Sequence, residues 1–133
     1  MESLSTDGFQ TCELFETDIE VMELEDFKVV LKRWQKKIQN TPDDQAHHAL
    51  CHIYNLARAS FKHGRKHCSD FALKLLSEIA LQEDNTLYSY KIILATQKLL
   101  RELEQLIHNK SDLEKFEQMI QKIDIAFRKK WGQ

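Results

Sequence analysis

The sequence predicts an all-α protein, an antiparallel bundle of about five helices. Apolar residues recur at spacings of three and four through nearly the whole chain after residue 23, which is the period of a helix with one buried face. The 133 residues include only three Gly and one Pro, too few turn formers for a β-sandwich or barrel. With 42% hydrophobic and 30% charged residues the chain has a globular composition, and its length favours one domain.

Charge divides the chain into two parts. Residues 1–27 contain nine of the 21 acidic residues and none of the 19 Lys and Arg, so an acidic leader precedes a body of net positive charge. We predict that residues 1–23 form an acidic N-terminal segment, partly disordered or a short helix, and that residues 24–133 form the helical bundle domain. Within residues 13–22 the apolar spacing fits both a helix and a strand.

The first two helices are separated by a sharp boundary. Helical spacing covers about residues 24–39, and Thr41 is then placed to be the N-cap of the second helix with Pro42 at its first position. The second helix is predicted to run to about residue 62, with Gly64 as a left-handed C-cap. The predicted core residues are Leu24, Phe27, Leu31, Trp34 and Ile38 in the first helix, and Ala46, Ala49, Leu50, Ile53, Leu56, Ala57, Ser60 and Phe61 in the second.

Three further helices are predicted over about residues 66–82, over about residues 86–108, and from Ser111, where Ser-Asp-Leu-Glu matches a capping box with Glu114. The predicted core residues of the third helix are Phe71, Ala72, Leu75, Leu76 and Ile79. Those of the fourth helix are Leu87, Tyr90, Ile93, Leu94, Leu99, Leu100, Leu103, Leu106 and Ile107. Those of the fifth helix are Leu113, Phe116, Ile120, Ile123 and Phe127. Short connections of about two to five residues favour antiparallel neighbours. Two helical hairpins plus a closing helix are an alternative description of the same elements.

Histidine and cysteine residues concentrate between residues 47 and 68. The pairs His48/His52 and His63/His67 have a spacing that can place two imidazoles on one helix face, but H-E-x-x-H is absent and the two pairs are too far apart along a helix to share one ion. We therefore predict no metal and no cofactor, with the histidines of the second helix on the flank of its core stripe. A pH-sensitive surface is the alternative role for this cluster.

A resemblance to one enzyme family comes from the sequence Arg58-Ala-Ser-Phe-Lys-His63. Its R-x4-H spacing resembles that of the HEPN ribonucleases, small all-helical domains that cut RNA without a metal. The resemblance implies that His63 would take the proton of a ribose 2′-hydroxyl while Arg58 holds the scissile phosphate. The family usually has a polar residue after the Arg, where this chain has Ala59.

Basic residues indicate where nucleic acid would bind if it is a partner. The predicted contacts are Lys32, Arg33, Lys36 and Lys37 in the first helix, and Arg65 and Lys66 in the turn between the second and third helices. Antiparallel packing could bring such side chains together on one phosphate-contacting surface. RNA binding, or RNA cleavage of the HEPN type, is the alternative function.

The preferred hypothesis is a non-enzymatic protein–protein interaction module: an adaptor, a regulator or a subunit of a complex. The sequence lacks the glycine-rich phosphate loops and the nucleophile elbow of common enzymes. We expect another protein as the partner, bound through a groove or an exposed helix face, with Phe15, Ile19 and Met22 as contacts. A homodimer is possible, and no membrane contact is expected.

The odd number of cysteines bears on location. There are three, Cys12, Cys51 and Cys68, with no C-x-x-C pair, and the acidic start of the chain lacks the apolar stretch of a secretory signal. Free thiols are typical of reducing compartments. We therefore expect the protein to be intracellular, in the cytoplasm, the nucleus or both.

Overall fold

A computed structural model describes residues 19–81 and 88–132, and within them the chain is entirely helical and contains no strand. The five helices are α1 (Leu24–Gln39), α2 (Asp43–Lys62), α3 (Lys66–Leu81), α4 (Tyr90–Glu104) and α5 (Lys110–Trp131). The predicted all-α bundle of five helices is therefore confirmed.

The order in which the helices pack is sequential. Each helix contacts the next one in the chain, and the pairs α1–α3, α2–α4 and α3–α5 also touch, whereas no other helix pair does so among the described residues. The helices thus form two layers, with α1, α3 and α5 in one and α2 and α4 in the other. This order corresponds to two helical hairpins closed by α5, and it places α3 at the centre.

The core follows the predicted stripes closely. Four of the five predicted residues of α1 are buried, as are seven of the eight of α2, while Leu24 and Phe61 are half-buried at the edge. The buried apolar residues of the other helices include Leu75, Leu76 and Ile79 in α3, Ile93, Leu100 and Leu103 in α4, and Phe116, Ile120 and Ile123 in α5. The prediction for Tyr90 was wrong, because its side chain is 45% exposed.

Tyr88 ties the link before α4 to α1. Its hydroxyl accepts hydrogen bonds from the side-chain amides of Gln35 and Gln39, at 3.1 and 2.8 Å, and its ring is buried. The bonds join residues about fifty positions apart in the chain, so they help to fix the second hairpin against the first helix.

The start of α2 differs by one residue from the prediction. Pro42 occupies the cap position in an extended conformation, and the helix begins at Asp43. The Thr41 hydroxyl donates a hydrogen bond to the carbonyl of Lys37 at 2.8 Å. Thr41 therefore does not cap α2, because its side chain satisfies one of the open carbonyls at the end of α1 instead.

The link between α4 and α5 also differs from the prediction. α4 ends at Glu104 rather than near residue 108, because the amides of Leu106 and Ile107 bond three residues back and tighten the chain into a turn. The side chain of Asn109 accepts a hydrogen bond from the amide of Asp112 at 3.1 Å and caps α5. The predicted capping box at Ser111 is therefore wrong, since Asn109 supplies the cap two residues earlier.

The end of α2 matches the prediction at Gly64. This residue has a φ of 67°, its amide bonds to the carbonyl of Phe61 at 3.2 Å, and the amide of Arg65 bonds to the carbonyl of Ser60 at 2.9 Å. These two bonds form a Schellman motif, which requires a left-handed residue at this position.

Gly64→Ala is expected to lower the free energy of unfolding by about 1–2 kcal/mol, because a side chain disfavours positive φ. The cost lies in the backbone alone, since an added Cβ would have no atom within 4 Å. Urea unfolding measures it. Gly64→Asn is the matched control and should lose less, because Asn tolerates the left-handed region. Equal stability of the alanine variant and the natural protein would contradict this geometry.

Candidate functional site

A groove of about 480 Å³ opens between the α2–α3 turn and the first half of α5. Six apolar side chains line it, and Phe116 is buried while the others are half-buried against the core. These six residues, which we call the groove floor, are Phe61, Leu73, Leu106, Ile107, Phe116 and Met119. The volume lies within the range of about 300–1,000 Å³ that is usual for ligand-binding clefts.

Two turns of the chain position the walls of the groove. The Schellman turn at Gly64 directs the chain from α2 into α3, so that Phe61 and Leu73 lie on one side. The early end of α4 places Leu106 and Ile107 in the link before α5, where they line the groove instead of continuing a helix. The groove therefore depends on the two helix ends, one of which the sequence analysis misplaced.

The rim of the groove carries both signs of charge. The Lys66 ammonium lies 3.6 Å from a carboxylate oxygen of Asp70 and 3.6 Å from one of Asp112, so it bridges α3 and α5. Because Lys66 is 64% exposed, these ion pairs contribute little to stability and mainly orient the rim. Lys66 was predicted to contact nucleic acid, and in the structure two carboxylates offset its charge.

The opposite side of the α2–α3 turn holds the N-terminal residues of the described chain. The Arg65 guanidinium donates hydrogen bonds to the carbonyls of Ile19 and of Met22, the latter at 2.6 Å. The imidazole of His63 lies 3.0 Å from the carboxylate of Glu20. We call this set of contacts between residues 19–22 and the turn the N-terminal clasp.

The N-terminal clasp bears on three predicted contacts. Ile19 is fully buried and Met22 is half-buried, so this chain already covers two of the side chains predicted to meet a partner. Phe15, the third, lies outside the described residues. Arg65, predicted to contact phosphates, has its guanidinium engaged by two backbone carbonyls.

Arg58 and His63 have different neighbours. Arg58 is half-buried and lies near Tyr54. Burial raises the pKa of Tyr54, and so does the 3.1 Å hydrogen bond that its hydroxyl donates to Glu102, whereas the positive charge of Arg58 lowers it. His63 follows α2 as its C-cap and faces Glu20. Cleavage of RNA by this pair stays a prediction.

The histidines of α2 do not all lie on its flank as predicted. His52 is 6% exposed, and its ring stacks on that of Trp34 with centroids 4.4 Å apart. His48 meets His52 edge to face, and the ammonium of Lys37 lies 5.6 Å from the centre of the Trp34 ring. Burial, with smaller effects of His48 and Lys37, lowers the pKa of His52 to about 4.

The Cys51 thiol is not activated as a nucleophile. Burial raises the pKa of the Cys51 thiol, which disfavours the nucleophilic thiolate although His47 lies 3.9 Å away. Among residues 19–81 and 88–132, no group of three His, Cys, Asp or Glu side chains could hold a metal ion.

The basic residues of α1 are exposed as a stripe. Lys32, Arg33, Lys36 and Lys37 all lie at the surface, and none of them forms an ion pair with another described residue. The stripe is a feature of α1 alone, because Arg65 and Lys66, predicted to share this surface, are held at the α2–α3 turn by other groups.

Sequence reasoning missed the groove as a site. It assigned Leu106 and Ile107 to the core of the fourth helix, and it gave Met119 no role. The signal that could have found them was Asn109, a strong N-cap residue that implies a link immediately before it.

Comparison of the chain with protein-family models, with curated proteins and with solved structures gave no match. None of the described helices is long and apolar enough to cross a membrane.

Proposed function

We propose that the protein is a non-enzymatic interaction module that binds a short segment of a partner protein in the groove beside the α2–α3 turn. The observation that carries the proposal is the groove itself. It has a volume of about 480 Å³, its floor is apolar, and it opens to solvent between charged rim residues. Apolar side chains that stay partly exposed in a concave surface favour a ligand that would cover them.

The shape of the groove supports an amphipathic helix as the bound segment. Its lining comes from the end of α2, from α3, and from α5 with the link before it. A helix lying between them would direct apolar side chains at spacings of three and four onto the groove floor. The rim offers Lys66 and Lys115 together with Asp70 and Asp112, so polar residues of either sign could flank those anchors.

Location is part of the same proposal. Cys51 and Cys68 are free thiols in the described chain. A reducing compartment keeps such thiols unpaired, and we therefore assign the module to the cytoplasm or the nucleus.

Met119→Glu is expected to weaken binding at least about tenfold, because it places an unpaired carboxylate over the groove floor. The measurement uses a displayed library of random-sequence peptides, selected on the natural protein and then titrated against each variant. Peptides chosen by the groove should share apolar residues at helical spacing.

Ile125→Glu is the matched control, since Ile125 lies on the same helix, is 61% exposed and is not part of the groove. It should bind the selected peptides as the natural protein does, and circular dichroism should show both variants folded. Selected peptides that bind Met119→Glu unchanged would exclude the groove as their site. Selection of no peptide with apolar residues at helical spacing would contradict the proposal.

A further inference from the structure

A second surface lies where α4 begins and α5 ends, away from the groove. The rings of Tyr90, Phe127 and Trp131 form a cluster there, with Tyr90 5.6 Å from Phe127 and 5.2 Å from Trp131 between ring centres. Tyr90 is 45% exposed and Trp131 is 39% exposed, while Phe127 is half-buried beneath them. Trp131 is about 18 Å along the α5 axis from Met119, so this aromatic cluster is distinct from the groove.

Basic residues flank the aromatic cluster in the sequence. Lys91 follows Tyr90 directly, and Arg128, Lys129 and Lys130 separate Phe127 from Trp131. Further along the same two helices, Arg101 and Asp124 form an ion pair at 3.0 Å. The ammonium of Lys130 lies 5.8 Å from the centre of the Trp131 ring.

We propose that the aromatic cluster and its surrounding cations bind single-stranded nucleic acid. Unpaired bases stack on exposed aromatic rings, and Lys and Arg side chains contact the phosphates between them. A duplex would not use the rings, because its bases are already stacked on each other. The site is thus sequence-tolerant and depends on salt.

The packing of the rings favours a nucleic acid over a lipid surface. Tyr90 and Trp131 are each more than half covered and pack edge to face on one another, so the cluster is a small, partly exposed aromatic surface rather than the broad apolar face of a membrane-binding helix. Charge favours an anionic ligand, since Lys91, Arg128, Lys129 and Lys130 lie within four residues of the three rings in the sequence, and Asp124 is paired with Arg101.

The test is a fluorescence anisotropy titration of the full chain with labelled oligouridine and oligothymidine, a duplex of equal length, and vesicles containing phosphatidylserine. We expect binding of the single strands to weaken as salt is raised and to exceed binding of the duplex. Trp131→Leu should weaken single-strand binding about tenfold, because it removes a stacking ring but keeps an apolar side chain. Trp131→Phe retains a ring and should bind nearly as the natural protein does.

Two charge reversals locate the site independently of the tryptophan. Lys130→Glu, whose ammonium lies 5.8 Å from the centre of the Trp131 ring, should weaken binding, whereas Lys36→Glu, on the basic stripe of α1, should not. Any of four results would overturn the proposal: no affinity for single strands, unchanged affinity of Trp131→Leu, loss of affinity in Lys36→Glu alone, or binding to vesicles only. Because Lys130 is exposed, its variant is expected to fold even if Trp131→Leu does not.

Discussion

Acidification from pH 7 to pH 4 should lower the free energy of unfolding by about 3 kcal/mol through His52 alone. The pKa of His52 is about 4 in the folded protein and 6.5 is its ordinary value, so between these pH values the unfolded chain binds a proton that the folded chain does not. Stability is therefore full above about pH 6.5, falls as the pH drops toward 4 and then levels off. The magnitude follows from about 1.4 kcal/mol per pKa unit.

The physical cause is the burial of the imidazole. His52 is 6% exposed between Trp34 of α1 and the other side chains of α2, so a charged ring would lose its hydration there. His48 on the same helix and Lys37 on α1 add positive charge nearby and oppose protonation further.

Urea unfolding at a series of pH values, compared between the natural protein and His52→Gln, measures this contribution. The Gln variant should be less stable at pH 7, because the stack on Trp34 is lost, but its stability should fall less between pH 6.5 and pH 4. His67→Gln removes an exposed imidazole from α3 and should keep the pH dependence of the natural protein. An equal acid-induced loss in the His52 and His67 variants would show that His52 is not the group responsible.

Arg65→Ala should lower the free energy of unfolding by about 3 kcal/mol and release the N-terminal clasp. Its guanidinium donates hydrogen bonds to the carbonyls of Ile19 and Met22, and a hydrogen bond to a charged group contributes about 1.5–3 kcal/mol. Loss of the clasp should also expose Ile19, which is fully buried.

Two measurements follow the release of the clasp. Urea unfolding gives the loss of stability, and cleavage by a Glu-specific protease at Glu20 and Glu23 should become faster under native conditions. Arg65→Lys should lose a large part of the same stability, because an ammonium lacks the fork that reaches two carbonyls. Arg33→Ala, on the exposed stripe of α1, should change stability by less than about 0.5 kcal/mol. Protection of Glu20 and Glu23 in Arg65→Ala equal to that in Arg33→Ala would contradict the clasp.

The helices were predictable because helical periodicity depends on neighbours a few positions away. In α5 the spacing of Leu113, Phe116, Ile120, Ile123 and Phe127 is visible in the sequence, and all five are buried or half-buried in the structure. Gly64 was predictable for a similar reason, since a left-handed residue at a helix end is a local requirement.

Helix ends were less predictable where several residues compete for the same role. Thr41, Asn109 and Ser111 are all good N-cap residues, but only Asn109 caps a helix. The choice depends on which backbone groups lie within reach of each side chain, and that depends on how the chain turns between packed helices.

The contacts of the candidate functional site were even harder to predict from the sequence than the helix ends. The sequence predicted Arg65 and Lys66 as nucleic-acid contacts of the alternative function, whereas in the structure Arg65 holds two backbone carbonyls and Lys66 bridges two carboxylates. Ile19 is 46 positions from Arg65, and Asp112 is 46 positions from Lys66. A local pattern can record the pair of Lys66 with Asp70, four residues away, but not these two distant contacts.

By itself, therefore, the sequence determined that this chain is five amphipathic helices, which residues form their buried faces, and where basic residues concentrate. Only the tertiary structure decided that His52 lies inside the core, that Arg65 holds the N-terminal residues, that a groove opens between α3 and α5, and that Tyr90 joins Phe127 and Trp131 at the surface. The reason is that periodicity arises within a few residues of chain, whereas grooves, clasps and clusters arise from side chains that packing brings together from distant positions.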